Sequence, residues 1–175
     1  VGKTTIKTLL GDSLKIFGST YYSPKSFNNH YGVPLSLSNL ENEHNYGVFE
    51  IGMSKPGEID KLSKLVRPDI GIITNVAQAH IENFKNTRGI ARAKSEIINN
   101  INQDGTLVLN RDDKFFNYLN SIARRKKIRT LSFGTYKKAD ICLIKNKKTE
   151  KNNVRKIRAI DEILFLKTKS NGGLN

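Results

Sequence analysis

The sequence predicts an α/β protein in which a mostly parallel open sheet is flanked by helices. Up to residue 134, short apolar runs alternate with amphipathic helical stretches, and this alternation is typical of parallel strands joined by crossover helices. The run "DIGIITNV" at 69–76 is almost continuously apolar, as in a strand that is covered on both faces. Both observations favour a parallel sheet over an antiparallel one.

The individual elements follow from apolar spacing and from turn residues. In chain order, the predicted helices are 5–17, which ends near Gly18, then 56–66, 87–101 and 113–125. The predicted strands between them are 46–52, 69–76, 105–110 and 127–134. Three strand-like runs follow without intervening helices, at 139–145, 153–160 and 162–170. They predict a small antiparallel appendage to the main sheet.

The composition fits one globular domain. Of 175 residues, 37% are hydrophobic and 26% are charged, which is enough for a packed core. No apolar run reaches the roughly 20 residues of a membrane span, and the first residues lack the pattern of a signal peptide. The single cysteine, Cys142, has no partner for an internal disulfide and lies in an apolar run, so we expect a small core residue and a cytoplasmic protein.

The net charge of +14 raises the alternative of a nucleic-acid-binding ATPase. Much of the excess lies in 123–129 and 147–158, where few aromatic residues are interleaved to stack on bases. We therefore interpret these stretches as a solvated basic face and expect no nucleic acid as a partner. Attraction of anionic nucleotides is compatible with the same charge.

The opening stretch "VGKTT" matches the second half of a Walker-type phosphate-binding loop. Such a loop leads into a helix whose first N–H groups bind phosphate oxygens. Lys3 would neutralise the β- and γ-phosphates, and the Thr4 hydroxyl would bind Mg²⁺. The predicted nucleotide-binding residues of this loop are Gly2, Lys3, Thr4 and Thr5.

Polar residues stand where several predicted strands end, at the edge of an open α/β sheet that binds ligands. They are Glu50, Asn75 and Asn110, with His80 in the loop after Asn75. Each of them alone is equally well explained as a turn former or a helix cap. Together with a phosphate loop, Glu50 and His80 become candidate metal ligands; a carboxylate suits Mg²⁺, whereas imidazole is less usual for it. One cysteine and three widely separated histidines argue against structural zinc.

The predicted helix at 87–101 places a lysine within its apolar stripe. At about 100° per residue, Lys94 shares a face with Ile90, Ala93, Ile97, Ile98 and Ile101, whereas Arg92, Ser95 and Glu96 point away. In one interpretation the Lys94 stem packs and its ammonium reaches water. In the other, the amine points inward, its pKa falls through desolvation, and it reacts with CO₂ to give an anionic carbamate that binds metal. The spacing leaves both open.

Six stretches, in their order and spacing, resemble the Mur ligases: "GKTTIK", "FNNHYGVPLSL", "VFEIGMSKPGEI", "RPDIGIITNVAQAHIENF", "GIARAKSEI" and "GTLVLNRDD". The resemblance is specific from residue 1 to about residue 113, and weaker beyond. It implies a P-loop NTPase-like central ATPase domain over residues 1–175, cut short in its phosphate loop and at its C-terminal end. It also implies that the UDP-substrate and C-terminal ligase domains that flank this domain lie outside residues 1–175, so we expect this stretch alone to be an inactive or poor ligase.

Within that family, the motifs resemble the branch that adds D-alanyl-D-alanine to UDP-N-acetylmuramoyl-tripeptide in bacterial peptidoglycan synthesis. The resemblance implies ATP and Mg²⁺ as cofactors, an acyl-phosphate intermediate, and a cytoplasmic monomer. It also implies roles for single residues. These are Lys3, His80 and Lys94 in catalysis; Thr4, Glu50, His80 and carbamylated Lys94 at the metal; Asn28 and Asn29 near the substrate; and Asn75 and Asn110 along the nucleotide cleft, with Asn110 nearer the adenine.

Three alternatives stay open beside this assignment. The first is another amide ligase of the same superfamily, either a different Mur ligase or a relative of folylpolyglutamate synthetase. The second, of a different class, is a basic P-loop ATPase that binds nucleic acid. The third is a nucleotide-binding remnant without catalysis.

Overall fold

The structure is a computed structural model that describes residues 2–77, 83–84, 86–148 and 152–169. Its helices are α1 (Lys3–Leu14), α2 (Gly32–Leu37), α3 (Glu58–Val66), α4 (Thr87–Ser95) and α5 (Phe116–Arg125). Its strands are β1 (Thr20–Tyr22), β2 (Tyr46–Val48), β3 (Ile70–Ile73), β4 (Thr106–Asn110), β5 (Arg129–Gly134), β6 (Ile141–Lys148), β7 (Asn152–Ala159) and β8 (Glu162–Lys169).

The strands form a mostly parallel arrangement with an antiparallel end, which confirms the predicted fold class. A six-stranded sheet has the order β3-β4-β5-β6-β7-β8. The pairs from β3 to β6 are parallel, and β6, β7 and β8 pair antiparallel. Strands β1 and β2 form a separate parallel pair, with Tyr21 opposite Gly47. Among the described residues this pair is therefore not hydrogen-bonded to the six-stranded sheet.

The hydrophobic core lies between this sheet and helices α4 and α5. Along β4 the burial alternates, because successive side chains of a strand point to opposite faces; Leu107 and Leu109 are fully buried. They pack in one cluster with Ile90 of α4 and Leu119 of α5. Strand β3 was predicted to be covered on both faces, but Ile70 at its start is 61% exposed.

Helix α4 ends earlier than its apolar pattern predicts. The α-helical part stops at Ser95, and Glu96–Asn100 continues as a 3₁₀-helix. A 3₁₀-helix has three residues per turn, so it shifts the following side chains relative to the α-helical spacing. Ser95, expected on the outer face, is buried and donates from its hydroxyl to the Arg92 carbonyl. Glu96 is half-buried and accepts from the backbone N–H groups of Gly57 and Asp60 at the start of α3.

Two short elements escaped the sequence analysis. Strand β1 has three residues and α2 has six, which is too short for a clear apolar period.

Helix α1 begins at Lys3, directly after Gly2, whose φ of +81° favours glycine. Cys142 is buried in β6, as expected for a small core residue. No described helix is both long enough and apolar enough to cross a membrane.

Candidate functional site

The candidate site lies around the buried carboxylate of Glu50. This residue follows β2 by two positions and is 5% exposed. Its Oε2 accepts a hydrogen bond from the Thr4 hydroxyl at 2.7 Å, and its Oε1 accepts one from the Asn28 carboxamide at 2.8 Å. The Lys3 ammonium lies 4.0 Å from Oε1. The fold thus brings the predicted phosphate loop, a strand-end carboxylate and one of the two predicted substrate asparagines into contact.

The N-terminus of α1 is open toward this site. The first turn has neither a side-chain cap nor an acidic residue, and a Cβ at Gly2 would meet no atom within 4 Å. The backbone N–H groups of a first helical turn have no partner within the helix, and they favour anions. Thr4 and Thr5 are exposed here, and the Lys3 side chain is 43% exposed. A phosphate group at this position would therefore find free backbone N–H donors and the positive charge of Lys3.

Lys94 on α4 is directed toward the end of β3. Its ammonium donates to the backbone carbonyl of Asn75 at 2.5 Å, and the residue is partly buried. Burial lowers the pKa of Lys94, and the nearby charge of Lys3 lowers it further, while Asp113 opposes the shift. Of the two orientations that the sequence left open, the structure shows the inward one. A lowered pKa increases the fraction of neutral, nucleophilic amine at a given pH.

The asparagines at the strand ends have different surroundings. The side-chain oxygen of Asn75 is buried and has no hydrogen-bond partner among the residues described. Asn110, at the end of β4, accepts from the backbone N–H of Asp112 at 2.9 Å. Asn29 accepts from the N–H groups of Tyr31 and Gly32 and so holds the start of α2. Of these three asparagines, Asn75 is therefore the one that presents a buried acceptor without a donor among the described residues.

The Thr4 hydroxyl and the Glu50 carboxylate are oxygen ligands that suit a hard cation such as Mg²⁺. A hydroxyl and a carboxylate that lie within hydrogen-bond distance of each other can both turn toward one ion, and oxygen ligands are the ones Mg²⁺ prefers. Within the described part of the chain, no group of three His, Cys, Asp or Glu side chains surrounds a common point. His80, the predicted imidazole ligand, lies outside the described residues.

Two residues at the site were missed by the sequence analysis. Lys7 on α1 is 4% exposed and donates to backbone carbonyls of the segment after β1. Asp113 accepts from the N–H of Val76 at 2.5 Å and from the N–H of Phe115 at 2.8 Å, so it ties the loop after β3 to the start of α5. Both residues lie in stretches quoted for the family resemblance, Lys7 at the end of "GKTTIK" and Asp113 at the end of "GTLVLNRDD". Lys7 also lies one helical turn after Lys3, which was a second signal.

Comparisons with known proteins point to one family. The family model described as the Mur ligase middle domain matches residues 1–172. The UDP-N-acetylmuramoyl-tripeptide--D-alanyl-D-alanine ligase of Buchnera aphidicola subsp. Acyrthosiphon pisum (strain APS) is 41% identical over 115 residues, covering 66% of this chain and 25% of the relative. The chain thus spans about a quarter of that relative's length.

Two solved structures are similar over nearly all of the chain. A crystal structure of MurF from Acinetobacter baumannii aligns with a TM-score of 0.89 at 32% identity, covering 95% of this chain and 36% of that one. The MurF ligase of Thermotoga maritima in complex with ADP aligns with a TM-score of 0.85 at 31% identity, covering 95% and 38%.

Proposed function

The chain belongs to the Mur ligase middle-domain family, and from this premise we propose that it is the ATP-binding part of a ligase that joins D-alanyl-D-alanine to UDP-N-acetylmuramoyl-tripeptide. The observation that carries the proposal is the contact of Thr4 and Asn28 with Glu50 beside the open N-terminus of α1. The ADP of the Thermotoga neighbour supports a nucleotide as the ligand.

In this proposal residues 1–175 are a central ATPase domain. The UDP-bearing end of the substrate and the second half of the reaction depend on flanking domains of a longer protein. This division is supported by the small share of each relative that the chain covers. We propose that the longer protein acts as a monomer in the bacterial cytoplasm, and that the 175 residues alone lack ligase activity.

The nucleotide phosphates bind at the N-terminus of α1. Backbone N–H groups from Gly2 to Thr5 donate to phosphate oxygens, and the Lys3 ammonium neutralises charge on the γ-phosphate. Thr4 and Glu50 are the described residues that would hold Mg²⁺, which supplies charge neutralisation of the phosphoryl oxygens when it is bound. Asn75 and Asn110 line the cleft at the ends of β3 and β4, with Asn110 nearer the adenine.

The proposed ligation has two steps. A substrate carboxylate oxygen attacks the γ-phosphorus, the bond from that phosphorus to ADP breaks, and an acyl phosphate forms. The amine of the dipeptide then attacks the acyl carbon, phosphate leaves, and the amine loses a proton as the amide forms. Lys3 stabilises the negative charge of the transferring group, and Asn28 and Asn29 lie on the substrate side.

Lys94 and His80 complete the proposed metal site. Lys94, as a carbamate, would supply an anionic oxygen where its ammonium now meets the Asn75 carbonyl. The lowered pKa of Lys94 supports this modification, because only the neutral amine reacts with CO₂. His80 is proposed as a ligand from its position in the sequence alone.

An assay of the full-length protein tests the assignment. Phosphate release from ATP is measured with UDP-N-acetylmuramoyl-tripeptide and each candidate amine in turn, and D-alanyl-D-alanine is expected to give the highest kcat/KM. A preference for a single amino acid, glutamate included, over the dipeptide would instead indicate another ligase of the superfamily. ATP hydrolysis stimulated by DNA or RNA and steeply weakened by salt would contradict the ligase assignment altogether.

A further inference from the structure

Lys7 carries a buried positive charge with no acidic partner among the described residues. Its exposed fraction is 4%, although lysine is almost never fully buried unless its charge is compensated. Its ammonium donates to the backbone carbonyl of Ser23 at 2.5 Å and to that of Lys25. Desolvating an ammonium costs several kcal/mol. We therefore expect the hydrogen bonds of Lys7 to have a role that an apolar side chain at this position could not fill.

The two carbonyls belong to the segment that leads from β1 into the candidate site. Ser23 is fully buried; its N–H donates to the carbonyl of Val48, and its hydroxyl accepts from the N–H of Glu50 at 3.4 Å. Three residues after Lys25, the Asn28 carboxamide donates to the Glu50 carboxylate. The first carbonyl that Lys7 binds thus belongs to a residue that contacts Glu50 itself, and the second lies three residues before one that does.

These contacts close a ring that begins and ends on α1. Thr4, at one end, donates to Glu50; Glu50 is held by Asn28 and by the Ser23 hydroxyl; and the segment of Ser23 and Lys25 is bound by Lys7, one turn after Lys3. Within this ring, Lys7 is the residue that binds the 23–25 segment to α1 by its side chain. Removing its ammonium would leave two carbonyls without a donor and free the segment to move.

We propose that Lys7 is a positioning residue that fixes Glu50 and Asn28 relative to the phosphate-binding end of α1. This inference deepens the proposed function and rests on it. Lys7 does not touch the nucleotide; it acts through the 23–28 segment. An apolar side chain would fill the same space, but it would give the segment no directional anchor.

A double-mutant cycle in the full-length protein tests the proposal. The probe is the Mg²⁺ complex of a non-hydrolysable ATP analogue, and its dissociation constant is measured by calorimetry for Lys7→Met, Asn28→Ala and the double variant. We expect Lys7→Met to weaken binding about 10-fold alone and about 3-fold in the Asn28→Ala background, because the route through Asn28 is then already broken and only the one through Ser23 remains. Lys15→Met, at an exposed position after the same helix, is the control and should leave binding unchanged.

Each result decides between the alternatives. Additive effects, in which Lys7→Met weakens binding about 10-fold in both backgrounds, or an unchanged dissociation constant in Lys7→Met would overturn the proposal, since a stabilising or long-range charge effect does not need Asn28. If Lys7→Met does not fold, Lys7→Gln, which keeps one donor, carries the same cycle. A wild-type protein that binds no nucleotide would contradict the proposed function instead; the cycle is then measured on the free energy of unfolding, where additivity would again overturn the Lys7 proposal.

Discussion

The Thr4 hydroxyl donates a hydrogen bond of 2.7 Å to Oε2 of Glu50, across 46 positions in sequence. The first residue belongs to the first turn of α1 and the second follows β2, so the contact joins the phosphate-binding helix to the sheet pair β1–β2. A hydroxyl and a buried carboxylate in this relation are a pair of oxygen donors ready for one cation.

Glu50→Gln should abolish most of the catalysis while leaving the fold in place. The amide keeps the size of the side chain and one acceptor for Thr4 or Asn28, but it removes the charge that would bind a divalent cation. We expect kcat of the full-length protein to fall at least about 100-fold, with a loss of about 1 kcal/mol in the free energy of unfolding. Steady-state kinetics at saturating Mg²⁺ and denaturant unfolding measure the two effects.

The matched control for this change is Glu43→Gln, at an exposed position. It should alter neither quantity. Retention of full activity in Glu50→Gln would remove Glu50 from the metal site.

Lys94 should make the activity depend on dissolved CO₂. Because burial lowers the pKa of Lys94, a larger fraction of the amine is neutral at any given pH, and alkaline pH also protects a carbamate from acid decomposition. Depleting bicarbonate should lower the rate of the full-length protein, and native mass spectrometry should show a mass gain of one CO₂ that acidification removes.

The Lys94→Ala variant should lose at least about 100-fold in kcat and the mass gain together. Lys64→Ala, at an exposed position on α3, should keep both. Unchanged activity in Lys94→Ala would exclude the carbamate model.

Asn75→Ala should weaken nucleotide binding at little cost in stability. The Asn75 oxygen is buried without a described partner, so its removal deletes an unsatisfied acceptor and should change the free energy of unfolding by less than about 1 kcal/mol. The backbone carbonyl that binds Lys94 is retained. If the oxygen meets a donor only when nucleotide is bound, the dissociation constant should rise about 10-fold.

Asn100→Ala supplies the opposite pattern. Its side-chain amide donates to Asp60 and Ser63 of α3. We expect a loss of about 1–3 kcal/mol in stability because these acceptors lose their donor, and no change in nucleotide affinity. Equal effects of the two variants on nucleotide affinity would contradict a specific role for Asn75.

Asp112 should contribute to stability at neutral pH and lose that contribution in acid. Desolvation by itself raises the pKa of its carboxyl, but hydrogen bonds from Thr135 and Tyr136 outweigh this effect and hold the pKa below its ordinary value. The charged form is thus favoured by folding, so the stability is present above the unfolded-state pKa and is lost as the pH falls through the folded-state pKa.

Asp112→Asn should therefore destabilise the protein by about 1 kcal/mol or less at pH 7, because the site is exposed and screened. Its stability should also fall less steeply than that of the wild type in the acid range. Denaturant unfolding as a function of pH measures both. Asp104→Asn, at an exposed turn with φ of +67° that asparagine also adopts, is the control. Parallel acid profiles for Asp112→Asn and the wild type would contradict this account.

Most long elements of the fold were predictable because their side-chain pattern is strong. The helices at α3 and α5 and the strands β3 to β5 lie within the predicted ranges. The short elements β1 and α2 were not predicted, since three and six residues carry too little periodicity. The early end of α4 also escaped prediction, because an α-helix and a 3₁₀-helix of this length share the same apolar composition.

The sequence by itself determined the fold class, the phosphate-loop motif and the residue types available at the ends of the strands, because these depend on local spacing and composition. Only the tertiary structure decided which of those residues meet. It turned Lys94 toward the Asn75 carbonyl, placed Thr4 and Asn28 on Glu50, and buried Lys7 beneath the segment of Ser23. Such contacts join residues 16 to 46 positions apart, and they depend on how helices pack on the sheet, which no local pattern records.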